Sequence, residues 1–462
     1  MSSHEYKTHG LMIDDLIVAD EKLTDLIKEI ADLYLKNDRA WVIGFSGGKD
    51  STVILSLIYQ ALTTLTKKQL KKKVYVVCSD TLVETPVVVG LVREVLNNVQ
   101  ESANEKGIPL VTQMVVPDTN NTFWSNLLGK GYPAPTSGFR WCTERMKIKP
   151  VTAFIQETVS KHGEVIVALG SRKEESSARS ASIKKHSIKG TVLARHSSLS
   201  NAFTYMPIEN WAADDVWQYL LSAPTPWGGD NDQLFEMYKG SNQGECPLVV
   251  DTNSQSCGNS RFGCWTCTVV TKDRALHGLI ESGEEWMRPL LAFRDEMYFS
   301  SKPENKAKYR NVKRRSGKID VQTRFKPGVG RTNELDYDEE GNVKHVPGPY
   351  WLKVRQEWLE KLLEIEKNIR DSGRSIELIT RDELKVIRQE WINDPNEPDT
   401  DDSLPKIYNK IYPNDEILWQ KNDLGFFGDG GIDAISKAAH SIDVSSDLLQ
   451  KVINLEIEVS GL

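Results

Sequence analysis

The chain has 462 residues, enough for two or three domains or for one large core with appendages, and its 39% hydrophobic content is enough to bury such a core. Apolar runs such as Val74 to Cys78 and Val165 to Leu169 are far too short to span a membrane, and the first ten residues lack the apolar stretch of a secretory signal, so a soluble cytoplasmic protein is expected. A formal charge of −7 argues against a globally basic nucleic-acid binder, and six cysteines in a reducing compartment point to thiolate chemistry or metal binding, not to a disulfide framework.

Residues 1–36 carry apolar positions at helical spacing (Leu11, Ile13, Leu16, Ile17, then Leu23, Leu26, Ile27, Ile30, Leu33), which predicts leading helices. The region 37–225 then alternates strand and helix. Strands are predicted at Trp41–Phe45, Val74–Cys78, Leu110–Val116 and Val165–Gly170, and helices at Val53–Leu65, Glu84–Glu105 and Lys149–His162. That alternation implies an α/β fold, a parallel twisted sheet with helices on both faces.

Past about residue 226 the regular pattern ends, and 226–300 is a cysteine-rich segment. Residues 301–349 are basic and turn-rich, which predicts an extended or mobile stretch; from Lys302 to Arg331 there are eleven Lys or Arg against Glu304 and Asp320. Residues 350–462 read as a mainly helical extension, with Tyr350 to Trp391 helical and an amphipathic tail from Ile432 to Ile457. The acidic tract Asp394 to Asp402 between them reads as a solvated loop.

Two motifs carry chemistry. Ser46-Gly-Gly-Lys-Asp-Ser51 lies between the first core strand and its helix, where a parallel sheet opens its ligand crevice. Gly47 and Gly48 let backbone N–H groups approach a phosphate, Lys49 adds charge, Ser46, Ser51 and Thr52 offer hydroxyls, and the helix N-terminus favours an anion. The loop lacks the four-residue spacing of a Walker motif. The second motif, Cys257-Gly-Asn-Ser-Arg-Phe-Gly-Cys264-Trp-Thr-Cys267, places three thiols within eleven residues. Its C-x-x-C step lets two sulfurs reach one metal with little strain, and a ligand from elsewhere closes the site. Zinc and a [4Fe–4S] cluster both accept four thiolates, so spacing does not separate them. Cys78, inside an apolar strand, reads as a core residue.

The phosphate loop resembles that of the PP-loop ATP pyrophosphatases, which cleave ATP between its α- and β-phosphates. Ser79-Asp-Thr-Leu-Val-Glu-Thr-Pro86, Arg140-Trp-Cys-Thr-Glu-Arg-Met-Lys147, Gly170-Ser-Arg-Lys-Glu-Glu-Ser-Ser-Ala-Arg179 and Pro207-Ile-Glu-Asn-Trp-Ala-Ala-Asp-Asp-Val-Trp217 resemble the adenylyl-sulfate and phosphoadenylyl-sulfate reductase branch, in the same order. The implied fold is that of the adenine nucleotide α-hydrolases. The resemblance assigns ATP to Ser46, Gly47, Gly48, Lys49, Asp50, Ser51, Asp80, Thr81, Gly170 and Arg179, and catalysis to Lys49, Asp50 and Arg172. Asp80 would bond the ribose or coordinate Mg2+, or else cap the next helix. Arg172 and Arg179 would fork onto phosphates, with Glu175 fixing one of them. It also makes Cys142 the leading fourth ligand beside Cys257, Cys264 and Cys267, ahead of Cys246, although Trp141 stands where those reductases carry a second cysteine. No cysteine follows Cys267, so a reductase would lack its mobile nucleophile.

The loop, the element Phe262-Gly-Cys-Trp-Thr-Cys-Thr-Val-Val270 and the long extension together resemble the DndC family of bacterial DNA phosphorothioation, ATP pyrophosphatases with an iron–sulfur cluster. That resemblance implies a sulfurtransferase using ATP, Mg2+ and a [4Fe–4S] cluster, acting on DNA with a cysteine desulfurase as sulfur donor and with further subunits of the same modification complex. A tRNA thiolase or a sulfonucleotide reductase-like enzyme is the competing enzyme reading, and a metal-stapled nucleic-acid-binding subunit the competing non-enzyme. The basic stretch at 302–331 is either a DNA track or a solvated linker.

Overall fold

The computed structural model describes residues 16–240, 263–326, 330–337 and 340–415, with scattered positions up to 452. The chain enters through a short hairpin, β1 (Ile17–Val18) and β2 (Glu21–Lys22), turned by Ala19 and Asp20 at φ of 54° and 62°. The helical spacing expected through Leu16 and Ile17 is broken there, because two successive left-handed residues cannot continue a right-handed helix. Helix α1 (Leu23–Leu35) follows, with Leu23, Leu26, Ile27, Ile30 and Leu33 buried on one face.

The core sheet comprises β3 (Ala40–Gly44), β4 (Val74–Ser79), β5 (Leu110–Val115), β6 (Val165–Ala168), β7 (Leu193–Arg195) and β8 (Ala202–Tyr205), in the order β5-β4-β3-β6-β8-β7 with only β7 antiparallel. The four expected strands stand in place. The pair β7 and β8 was not anticipated, since three- and four-residue strands carry too little periodicity to register. Trp41 and Ile43 face one side of β3 and join the core with α1, α2 (Lys49–Thr63) and α3 (Pro86–Lys106). Ala40 and Val42 face the other side and pack with Ile155 of α4 (Lys149–His162). Burial on both faces explains why these strands read as continuous apolar runs.

After α5 (Ser177–His186), α6 (Ala213–Ser222) and α7 (Asp232–Gly240), a second core forms from the 123–146 connection, α8 (Arg274–Glu281) and α9 (Arg288–Ser301), with helices from the extension. Helix α10 (Lys306–Tyr309) and the hairpin β9 (Thr323–Lys326) and β10 (Gly330–Leu335) organise the basic segment, which pairs back at Arg310 with Tyr350 and at Val321 with His345. The expectation of an extended stretch is thus corrected: the turns close strands onto one another. The helical run after Tyr350 is split into α11 (Leu352–Asp371) and α12 (Arg381–Ile392) around Gly373, whose φ of 89° ends the first helix. Three long-range bonds tie the extension to the 123–146 connection: Trp124 Nε1 to Leu378 O, Trp391 Nε1 to Leu128 O and Arg355 Nη1 to Gly129 O, each 2.7 Å.

The acidic tract does not behave as a solvated loop throughout. Asp394 is buried and takes Arg355 Nη2 at 2.7 Å, while Asp399 accepts the amide and hydroxyl of Ser403 at the start of α13 (Ser403–Ile411). A fully buried arginine needs a carboxylate, and a helix N-terminus favours one. Most of the predicted amphipathic tail lies outside the described residues.

Candidate functional site

Strand β3 has β4 on one side and β6 on the other, so the chain reverses its direction of winding between β3 and β6. A crevice opens at such a switch point, outside the carboxyl ends of the strands. The 46–51 loop leaves β3 there and the 170–179 segment leaves β6. They meet in a buried ion network: Arg172 Nε lies 2.6 Å from Asp50 Oδ1, and Lys49 Nζ lies 3.0 Å from Asp50 Oδ2. Arg172 is fully buried and Lys49 is 4% exposed. Asp50 thus bridges two buried cations and ties the loop after β3 to the loop after β6.

The glycines have steric reasons. Gly47 sits at φ 74°, and a Cβ there would fall 2.4 Å from Val92 Cγ2. A Cβ on Gly170 would fall 2.8 Å from the Asp50 carbonyl, so Gly170 lets the β6 loop lie against the β3 loop. The Ser51 hydroxyl receives the Ser46 amide at 3.2 Å and donates to Gly48 O at 2.8 Å, closing the loop on itself. Gly48 caps α2 without a side chain, and the Lys49 amide bonds the Tyr238 hydroxyl of α7 at 3.2 Å. Glu175 accepts the Arg172 amide at 2.8 Å and pairs with Arg179. Arg172 also bonds Trp211 O at 3.2 Å and Glu174 at 3.3 Å.

Asp80 and Thr81 follow β4 at the same edge. Asp80 Oδ1 accepts the Leu82 amide at 2.8 Å, in a turn where Leu82 has φ of 64°, and Oδ2 faces Arg93 at 3.4 Å. Asp80 therefore shapes its own turn and does not cap α3, whose N-cap is Thr85.

The cysteine loop docks on this turn. Trp265 N bonds Val83 O at 3.1 Å, Thr85 N bonds Gly263 O at 3.0 Å, and the Thr81 hydroxyl lies 3.3 Å from Cys264 Sγ. Glu84 lies 3.7 Å from the same sulfur and 3.1 Å from Lys147 Nζ. Cys142 stands at the head of a π-helical turn, Thr143–Ile148, that leads into α4; such turns recur at functional sites. Burial, with Cys267 nearby, pushes the Cys142 thiol up to about 11 against the pull of Lys147. Burial and then Glu84 push Cys264 well above the usual thiol range, with Cys142 adding to the effect.

The donors match a thiolate-bound metal in chemistry. Among the described residues no three His, Cys, Asp or Glu side chains converge into a metal-holding group. Cys246 and Cys257 lie outside the described residues, and Cys78 is buried in the sheet core as expected.

Three side chains carry parts of this site without a sequence signal of their own. Tyr238 lies beyond the regular α/β pattern. Glu84 looked like part of a helix start. Arg294 of α9, fully buried, bonds Cys267 O at 2.8 Å, Thr271 O at 3.0 Å and Val270 O, holding the cysteine loop by its carbonyls.

The loops after β3 and β6 meet at the switch point, and the cysteine loop docks on the turn after β4. The chain belongs to the phosphoadenosine phosphosulfate reductase domain family, whose model matches residues 40–270. An uncharacterised protein of Methanocaldococcus jannaschii is 30% identical over 253 residues, covering 55% of this chain and 41% of that protein, so the chain matches less than half the length of this relative. Among solved structures, the U34-tRNA thiolase of Methanococcus maripaludis with its [4Fe-4S] cluster aligns at 13% identity and a TM-score of 0.28, over 60% of this chain and 78% of that one. The NH3-dependent NAD synthetase of Campylobacter jejuni aligns at 11% identity and a TM-score of 0.28, over 61% and 94%. No described helix is long and apolar enough to cross a membrane.

Proposed function

We propose that the chain is an ATP-dependent sulfurtransferase of the DndC kind, which cleaves ATP to AMP and pyrophosphate and replaces a non-bridging oxygen of a DNA backbone phosphate with sulfur. One observation carries this reading: Thr81, in the segment that would wall the nucleotide, touches Cys264 Sγ at 3.3 Å, so the ATP wall and the thiol wall would adjoin.

A phosphate oxygen is a poor leaving group and needs activation. A DNA phosphate oxygen attacks the α-phosphorus of ATP, the bond to the β-phosphate breaks, and pyrophosphate leaves with the electron pair. Sulfide then attacks the DNA phosphorus, and AMP departs carrying the original oxygen. Lys49 and the loop amides stabilise the growing pyrophosphate charge, while Asp50 and Arg172 hold Lys49 and the loop in register. Asp80 and Thr81 would hold the ribose or a Mg2+ ion. Cys142, Cys264 and Cys267, with Cys257 or Cys246, would hold a [4Fe–4S] cluster, whose chemistry is to keep or hand over the sulfide that a cysteine desulfurase supplies.

Pyrophosphate release tests this. The full-length chain, purified anaerobically and given ATP, DNA, a desulfurase and the remaining subunits, is expected to release pyrophosphate, and Lys49→Ala to lose roughly 10²–10³ of that rate. ATP binding without turnover under these conditions would favour a nucleotide-regulated scaffold.

A further inference from the structure

A cavity of about 700 Å³ lies away from the nucleotide crevice, between the 130–139 connection and the basic segment. Lys130, Lys306, Arg310, Arg314 and Arg315 line it, with the rings of Tyr132, Phe139 and Tyr350, and no acidic side chain does. Asp320 faces Arg314 at 3.5 Å and Glu390 faces Arg315 at 3.0 Å and Lys130 at 3.9 Å, none of them from within the lining. Lys306 and Arg310 have no carboxylate partner among the described residues. Arg310 is instead aimed by two carbonyls, Gly348 O at 2.7 Å and Pro347 O at 2.8 Å. Burial, then the charge of Arg310, pushes the Lys306 ammonium below its usual range; burial does the same to Arg310, with Arg314 adding to it. Like charges crowded in a partly dry cavity are relieved by an anion.

The charge does not stop at the rim. Lys313, Lys318 and Arg324 continue it along the surface, and Phe325 on β9 is 71% exposed. A single small anion needs no such continuation, whereas a chain of phosphates does, and an exposed ring offers a base a stacking face. The cavity wall also backs on the thiols: Trp141 Nε1 bonds Pro133 O at 2.9 Å and Thr268 Oγ1 bonds Pro135 O at 2.6 Å, each beside a cysteine.

We infer that this cavity holds a backbone phosphate of a polynucleotide, with Lys306, Arg310 and Arg314 on its oxygens and the hairpin track on the neighbouring phosphates. The inference deepens the reading above by naming where the polynucleotide is gripped, and it rests on that reading.

The test is fluorescence anisotropy of a labelled DNA oligonucleotide with the full-length chain, without ATP, across a KCl titration. Lys306→Ala/Arg314→Ala is expected to weaken binding about tenfold or more and to lower the log–log salt slope by about 2, one for each lost phosphate contact. The exposed Arg324→Ala is expected to lower it by about 1 and leaves the cavity intact should the double variant fail to fold. Lys67→Ala/Lys68→Ala, in the turn that follows α2, controls for net charge and should change neither quantity. Wild-type affinity and slope in both the double variant and Arg324→Ala overturn the inference. So does a chain that binds no DNA while inorganic pyrophosphate raises its melting temperature in a way the double variant abolishes, since the cavity then takes a free anion. Because no ATP is present, failure here is distinct from failure of pyrophosphate release.

Discussion

Arg172 and Asp50 are 122 positions apart in the chain and 2.6 Å apart in space, and their contact joins the loop after β6 to the loop after β3. Removing one partner of a buried pair strands the other, at a cost of about 3–5 kcal/mol. Arg172→Met is therefore expected to lower the unfolding free energy by that order. Arg172→Met/Asp50→Asn should cost less than the sum of the single changes, by roughly 1–3 kcal/mol. Urea denaturation of the four proteins reads this coupling, and strict additivity would mean the pair is not a unit.

Gly47 is fixed by conformation and by space. Gly47→Ala meets both its φ of 74° and the 2.4 Å approach to Val92 Cγ2. The variant should lose ATP affinity, read by calorimetry. Val92→Ala in the same chain removes the clash and is expected to restore part of the affinity, while the left-handed backbone still costs about 1 kcal/mol. No recovery at all would place the whole effect in the backbone.

Arg294 touches no thiol, yet it holds three carbonyls of the cysteine loop. Arg294→Met should reduce iron and acid-labile sulfide per chain in anaerobic preparations nearly as far as Cys264→Ser does, with the melting temperature also falling. One zinc and no iron or labile sulfide in the wild-type chain would contradict the cluster assignment outright.

The parallel sheet and the glycine-bearing junction between β3 and α2 were legible because their signals are local. Apolar runs mark doubly covered strands, and a strand–glycine–helix junction marks an anion site. Gly170 was legible only through resemblance, since its reason is the Asp50 backbone 2.8 Å away, a contact made by the fold. Arg294 and Tyr238 were invisible for the same reason, each acting on a loop distant in sequence. Asp394 was misread because nothing beside it announces Arg355, whose guanidinium is buried 39 positions earlier. The basic segment was misread too: its glycines and prolines signal turns, but not which strands the turns bring together.

Lys72 offers a pH test of packing. Burial pushes its ammonium down to about 8, against the opposing charge of Asp38, with the Tyr34 ring 4.2 Å away. An unfolded lysine keeps its proton up to about 10.4. Between those values the unfolded chain binds the extra proton, so stability rises with pH across the window, and the penalty is full below pH 8. The stability of the wild type relative to Lys72→Met should therefore climb from pH 8 toward 10.4 and stay flat below, as followed by denaturant titrations; a flat difference throughout would mean that Lys72 is solvated.

The most direct measurement of the central claim is mass spectrometry of nuclease-digested DNA from cells expressing the chain with its partner subunits and a cysteine desulfurase. Phosphorothioate-linked dinucleotides are expected with the wild-type chain and should vanish with Lys49→Ala. Their absence from both, with thiolated tRNA nucleosides appearing only with the wild type, would contradict the account and make the chain a tRNA thiolase.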